Sequence, residues 1–256
     1  MKRLDIHLVD LNLATSRTHA QKLIAANRVS FKQGNQWKVL TKPSFKVDAE
    51  CELMVEAHEE DKFVSRGGLK LEGALSDNHI DVTGMIGLDV GCSTGGFTDC
   101  LLQRGAKHVV GIDVGHGQLA KPLLEDKRVT LYEGINAREL DPQLVLPHTH
   151  NGQGFDVVVM DVSFISQTKI LPALAPVMRQ GGQLISLVKP QFEVGKEGIG
   201  KGGIVKDKSL YKTVESDIKQ LCETLGFEIK TYIPSPIKGG DGNTEFLLWC
   251  VKEQST

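Results

Sequence analysis

The run Gly87-Leu88-Asp89-Val90-Gly91-Cys92-Ser93-Thr94-Gly95-Gly96-Phe97-Thr98-Asp99-Cys100 sets one acid ahead of a glycine-rich turn. A short apolar stretch ends at Asp89, and helical spacing begins near Gly96. Such strand–glycine–helix junctions hold nucleotide-like ligands in open α/β sheets. A dinucleotide fingerprint would read Gly-x-Gly-x-x-Gly, whereas the order here is Asp-x-Gly-x-x-x-Gly-Gly. A carboxylate at the strand end repels a pyrophosphate and attracts an ammonium. S-adenosylmethionine carries an ammonium on its methionine half, so the loop reads as a methyl-donor site. Asp89, Gly91, Ser93, Gly95, Gly96 and Phe97 are its candidate lining.

Ligands of open α/β sheets lie beyond the carboxyl ends of the strands, and four more polar residues fall at such ends. Asp113 closes the run from His108 and can accept both hydroxyls of a ribose. Asn136, in Gly134-Ile135-Asn136-Ala137-Arg138, is placed to meet an adenine edge. Asp161 follows Val157-Val158-Val159-Met160, and Lys189 follows Leu187-Val188. The type of acceptor follows from what surrounds Asp161. Asp161-Val162-Ser163-Phe164 lacks the Asn/Asp-Pro-Pro-Tyr common in amino-group methyltransferases, and no cysteine sits in a Pro-Cys context for carbon methylation. A hydroxyl acceptor with a nearby lysine remains. A ribose 2′-hydroxyl is a very weak acid, so a general base must take its proton during transfer.

The elements that must position these residues follow from periodicity. Strands are predicted over 85–90, 108–113, 129–133, 155–160, 183–188, 227–233 and 246–251, with helices over 69–78, 96–104 and 207–225. This alternation predicts an α/β fold with a mostly parallel sheet covered by helices on both faces. Ahead of it, Leu4, Leu8 and Leu11 mark a short helix, and Ser16 is a candidate N-cap for a second helix over 17–27 with Ala20, Leu23 and Ile24 inward. A hairpin around Lys32-Gln33-Gly34-Asn35 and a strand at 51–55 complete a small α+β unit. The predicted domains are 1–60, a linker 61–68 ending at a Gly67-Gly68 hinge, and 69–256.

The formal net charge of −2 conceals an asymmetry. Residues 1–46 carry nine Lys or Arg against two acids, and 48–61 carry seven acids. A basic module on a mildly acidic chain points to a polyanion partner. No apolar run approaches the roughly 20 residues that span a bilayer, and residues 1–5 lack the apolar core of a secretion signal. Five scattered cysteines without a Cys-x-x-Cys pair read as reduced thiols, so a cytoplasmic location is expected. His148 and His150 have no evident third ligand, and no metal site is expected.

Residues 1–60 resemble the RNA-binding domain first described in a small-subunit ribosomal protein. The resemblance rests on Arg3-Leu4-Asp5, Ser16-Arg17-Thr18-x-Ala20, Leu23-Ile24 and Val29, with Asn27 standing where that family usually has Gly. It implies an RNA surface that includes Arg3, Arg17, Lys22 and Arg28. From about residue 63 the chain resembles the FtsJ-like ribose 2′-O-methyltransferases, and the two-domain order resembles the TlyA (haemolysin A) family of RNA methyltransferases. That resemblance implies a Rossmann-like methyltransferase sheet with an antiparallel last strand, and a Lys-Asp-Lys-Glu tetrad at Lys70, Asp161, Lys189 and Glu245. Lys189 is then the expected base, Asp161 and Glu245 position the lysines and the hydroxyl, and Lys70 adds positive potential. The implied activity is S-adenosylmethionine-dependent 2′-O-methylation of ribosomal RNA, at cytidine, on free RNA or ribosomal subunits. Two other readings are a membrane-active haemolysin and an RNA-binding protein with a vestigial methyltransferase domain. The segment Glu193–Gly203, rich in glycine and lysine, suits a mobile lid over RNA phosphates.

Overall fold

A computed structural model describes residues 1–254 except 59, 60, 238, 240 and 241. The chain divides into two compact units, Met1–Asp61 and Lys62–Thr256.

The first unit runs β1 (Lys2–Arg3), α1 (Leu4–Asp10), α2 (Arg17–Ala25), β2 (Val29–Gln33), β3 (Gln36–Val39), β4 (Lys46–Val47) and β5 (Leu53–Val55). Ser16 caps α2, its Oγ accepting the His19 N–H at 3.1 Å. Asn27 takes a left-handed conformation at φ +59°, which ends the helix without a glycine. Strands pair in the order β3-β2-β5, and Leu4, Leu8, Ala20, Leu23, Ile24 and Val29 pack beneath them. Leu11, expected inward, lies past the end of α1 and is exposed.

The second unit continues with α3 (Gly67–Asp77), β6 (Ile86–Val90), α4 (Gly96–Gln103), β7 (His108–Asp113), α5 (Lys121–Leu124), β8 (Val129–Glu133) and α6 (Pro142–Val145). It closes with β9 (Phe155–Met160), α7 (Leu171–Leu174), β10 (Met178–Val188), α8 (Leu210–Thr224), β11 (Phe227–Pro234) and β12 (Phe246–Lys252). Seven strands form one sheet in the order β11-β12-β10-β9-β6-β7-β8. Pairings from β10 to β8 are parallel, and β12 inserts antiparallel between β10 and β11. Val157, Val158, Val159 and Met160 are all fully buried, the pattern of a central strand covered on both faces. Val157 and Val159 meet Leu71, Leu75, Phe97 and Leu101 of α3 and α4. Val158 and Met160 meet Leu171, Val214 and Ile218 of α7 and α8.

The expected 61–68 hinge takes a different form. Phe63 is buried, Val64 N–H donates to Asp99 Oδ2 at 2.8 Å, and Gly67-Gly68 open α3. Gly68 has no room for a Cβ because the Phe63 ring lies against it. The pair therefore serves close packing rather than swivel.

Candidate active site

The glycine loop leaves β6 through backbone conformations that its residues were suited to adopt. Gly91 (φ +76°) and Gly95 (φ +96°) are left-handed, and Gly95 is the N-cap of α4. A Cβ on Gly91 would sit 3.0 Å from Val162 Cγ1 and 3.2 Å from the Asp161 carbonyl oxygen. Glycine at this point thus lets the loop press against the end of β9. Gly96 is equally tight against Ser65 and the start of α3.

Two adjoining clefts open beyond the strand ends. One, of about 330 Å³, is lined by Arg66, Lys70, Asp89, Asp161 and Lys189 among others. The second, of about 600 Å³, is lined by Asp113, Asn136 and an apolar set including Ile112, Val114, Ile135 and Val162. Gly91, Ser93, Asp161 and Ser163 border both.

Asp89 is 1% exposed and accepts one hydrogen bond, from Thr98 Oγ1 to Oδ2 at 2.7 Å. Its Oδ1 is buried without a partner. Burial, with Asp161 and Asp113 adding like charge, pushes this carboxyl up to about 7 against the Thr98 hydrogen bond. An unpaired buried carboxylate oxygen lining a cleft calls for a cation. Asp113 accepts from Ser93 N–H and Gly115 N–H, each at 2.7 Å, which ties the glycine loop to the end of β7. Asn136 Oδ1 accepts the Arg138 N–H at 3.2 Å, so its amide nitrogen is the group left for a ligand.

The four expected tetrad residues resolve into two ion pairs. Lys70 Nζ lies 2.5 Å from Glu245 Oε2, and Lys189 Nζ lies 2.6 Å from Asp161 Oδ1. The second contact is close in distance but off the axis of a hydrogen bond; the aligned bond of Lys189 goes to Ser163 Oγ at 2.9 Å. Lys70, Asp161 and Lys189 share the smaller cleft, and Glu245 holds Lys70 from behind.

Sequence reasoning missed several residues that shape this site. Phe164 borders the larger cleft, is 91% exposed, and has φ +65°, while its ring meets Phe192 at 5.1 Å between centroids. A left-handed aromatic costs of order 1–3 kcal/mol and such outliers gather at functional sites. Its signal was an aromatic directly after a polar strand end. Gln167 is buried and receives the Ser186 hydroxyl at 2.8 Å, pinning the Asp161 turn to β10. Glu193 is held up by burial, and accepts from Ser166 Oγ at 2.5 Å and Gln167 N–H at 2.9 Å. The expected lid is tied down as well. Asn243 accepts the Val205 N–H at 3.2 Å and donates to the Gly203 carbonyl at 3.0 Å. These bonds fasten the far end of the segment, residues 203–205, to Asn243.

The expected RNA surface of the first unit divides differently from its prediction. Lys22 is exposed. Arg28, expected outward, is 9% exposed and bonds both the Glu56 carbonyl and the Asp61 carboxylate. Position 28 lies just past the helix, where the chain turns inward, so a helical face no longer describes it. Arg3 and Arg17 remain half-exposed while their guanidiniums bind the Asp5 carboxylate at 3.0 and 3.2 Å.

Known proteins resemble the chain over nearly its whole length. The model of the FtsJ-like methyltransferase family matches residues 63–252. The chain is 42% identical over 247 residues to the 16S/23S rRNA (cytidine-2′-O)-methyltransferase TlyA of Mycobacterium tuberculosis, covering 96% of this chain and 88% of that one. It is 38% identical over 245 residues to Hemolysin A of Brachyspira hyodysenteriae, covering 96% and 98%. Among solved structures, a candidate hemolysin from Streptococcus thermophilus superposes with a TM-score of 0.73 at 40% identity, covering 99% of this chain and 89% of that one.

Proposed function

This chain belongs to the FtsJ-like methyltransferase family, and on that premise we propose that it transfers a methyl group from S-adenosylmethionine to a cytidine 2′-hydroxyl of ribosomal RNA. The observation that carries the reading is the paired arrangement Lys70–Glu245 and Lys189–Asp161 beside a cleft that ends on the unpaired oxygen of Asp89. S-adenosylmethionine supplies, when bound, a methyl group already activated by a sulfonium. The residues present suit it. Asp89 Oδ1 would hold the ammonium, and Gly91, Ser93, Gly96 and Phe97, which line the same cleft, would hold the methionine half. Ser93 fastens the loop to Asp113, whose remaining lone pairs accept ribose hydroxyls. Asn136 and the apolar wall of Ile112, Val114 and Ile135 suit the adenine.

Lys189 Nζ, having first released its own proton to solvent, receives the proton of the 2′-hydroxyl as the oxygen becomes nucleophilic. Lys70, kept in place by Glu245, holds positive potential beside that oxygen, and Asp161 keeps the base at the cleft wall. Positioning supplies much of the acceleration, because the donor is already activated. Phe164 offers its exposed ring to the base of the target nucleotide, since aromatic faces hold unstacked bases. Arg3, Arg17 and Lys22 on the first unit contribute charge toward the RNA backbone, with ribosomal subunits in the cytoplasm as the partner.

The test incubates radiolabelled S-adenosylmethionine with free rRNA and with each ribosomal subunit. Wild type labels RNA on a ribose, and Lys189→Ala lowers the rate about 10²- to 10⁴-fold, the usual contribution of a general base. Label on a nucleobase, or none on any RNA, overturns the reading. The hemolysin names of similar chains favour a second reading, membrane lysis, which purified protein on erythrocytes tests directly. Among the described residues no helix is long and apolar enough to cross a membrane.

A further inference from the structure

A lysine that acts as a base must present its lone pair in one direction, yet its stem has four rotatable bonds. Lys189 leaves the end of β10 with its side chain 12% exposed, and two groups meet its nitrogen. Asp161 Oδ1 lies 2.6 Å away, but not along a hydrogen-bond axis, so it attracts the nitrogen without orienting it. Ser163 Oγ accepts an aligned hydrogen bond at 2.9 Å. Hydrogen bonding is directional, and of these two contacts the serine's has hydrogen-bond geometry.

We propose that Ser163 is the positioning residue that aims the Lys189 amine at the acceptor hydroxyl. The inference rests on the reading of Lys189 as the base. A neutral amine has three free tetrahedral directions, two N–H bonds and one lone pair. Ser163 takes one N–H and Asp161 draws the nitrogen toward the same wall by charge, which leaves the lone pair for the cleft. Ser163 suits the task because it borders both clefts, beside Asp161 and Lys189. Its own position is firm. The turn is held by the Asp161 N–H to the Val90 carbonyl at 3.2 Å, and by Val162 packed against Gly91. Phe164 then turns away in its left-handed conformation. The exposed placement of Ser163 allows substitution without disturbing the core.

The isosteric pair Ser163→Thr and Ser163→Val separates the hydroxyl from mere shape, with Ser163→Ala as a third variant. Each is assayed for kcat, for KM toward RNA, and for S-adenosylmethionine affinity by calorimetry. The expected result is a loss of kcat of about tenfold to a hundredfold in Ser163→Ala and Ser163→Val, the scale of a misplaced reacting group. Cofactor affinity and the KM for RNA stay within about twofold, and Ser163→Thr recovers most of the rate. Equal rates for threonine and valine overturn the assignment while leaving Lys189 as the base. Cofactor affinity falling in step with kcat also overturns it, since Ser163 would then belong to donor binding. A wild-type protein that labels no ribose overturns the underlying reading and this inference with it.

Discussion

Asp5 in the first unit and Asp89 in the second are both sealed from solvent contact, and their surroundings treat them oppositely. Asp5 is covered by a thin layer of its own partners. Arg3 grips both of its oxygens, and Arg17 and Gln21 add bonds at 3.2 and 3.1 Å. These donors, the Arg3 guanidinium foremost, hold the Asp5 carboxyl well below the usual carboxylate range despite its burial. Asp89 lies deep in the sheet with one hydroxyl for company, and burial pushes it up to about 7. Burial alone therefore marks neither structure nor function. The satisfied acid ties β1 to α2; the unsatisfied one leaves an oxygen for a ligand.

The largest effect expected is on ligand binding by Asp89→Asn. Losing a charge-assisted contact worth about 3 kcal/mol weakens S-adenosylmethionine binding by roughly 100-fold, read by calorimetry. A loss under threefold would break the contrast. The pH dependence sharpens it. Native Asp89 keeps its proton up to about pH 7, whereas the unfolded chain releases it near pH 4, so the ligand-free protein binds more protons when folded. Its contribution to stability falls as pH rises between those values, and melting curves of Asp89→Asn lack that component. Since the ammonium requires the carboxylate, affinity for the donor rises from pH 6 to 8 with release of a proton.

Next in size, Asp5→Asn removes the anion beneath two guanidiniums and destabilises the first unit by about 2 kcal/mol, moderated because both arginines reach solvent. Chemical unfolding followed by Trp37 fluorescence in a Trp249→Phe background reads this unit alone, and donor binding stays unchanged. Cofactor affinity that falls with Asp5→Asn contradicts the division of roles. The carboxylate of Asp5 also sets the opposite pH trend: its stabilising contribution is present above about pH 4 and fades only as acid titrates the native group. The smallest effects separate Arg28 from Lys22. Arg28→Ala lowers first-unit stability by about 1–2 kcal/mol through its bonds to Glu56 and Asp61. Lys22→Ala leaves unfolding unchanged and weakens RNA binding most at low salt.

Much of this was legible before any coordinates. Strands 108–113, 129–133 and 155–160 match their predicted bounds, because continuous β-branched runs flanked by turn residues leave little alternative. Strand β10 begins earlier than expected. It starts at Met178 rather than Gln183 and carries Gly181-Gly182 through a register shift between those two residues. Asp89, Asp113, Asn136, Asp161 and Lys189 stood out at strand ends and Lys70 and Glu245 only through the family resemblance; the pairing of the tetrad did not show. Nothing local joins Lys70 to Glu245 rather than to Asp161, since the choice is made by sheet order. Arg28 misled for the same reason: its partner Asp61 lies 33 residues onward in an acidic run that reads as solvated surface. Phe164 went unrecognised because a positive φ in a non-glycine residue leaves no trace in composition.

The place of β12 in the sheet bears on how the enzyme is made. Synthesis runs through β10 and β11 first, yet these two strands flank a gap that only β12 fills. Until residues 246–252 have been translated, β11 has no neighbour to pair with, and Lys70, made some 175 residues earlier, has no Glu245. A chain that stops between the glycine loop and Glu245 thus holds the donor-site residues but lacks one member of the reaction centre. Placing β12 is thus the step that completes both the sheet and the Lys70–Glu245 pair, and a chain cut before Glu245 is expected to transfer no methyl group, which a truncated protein assayed with labelled donor checks.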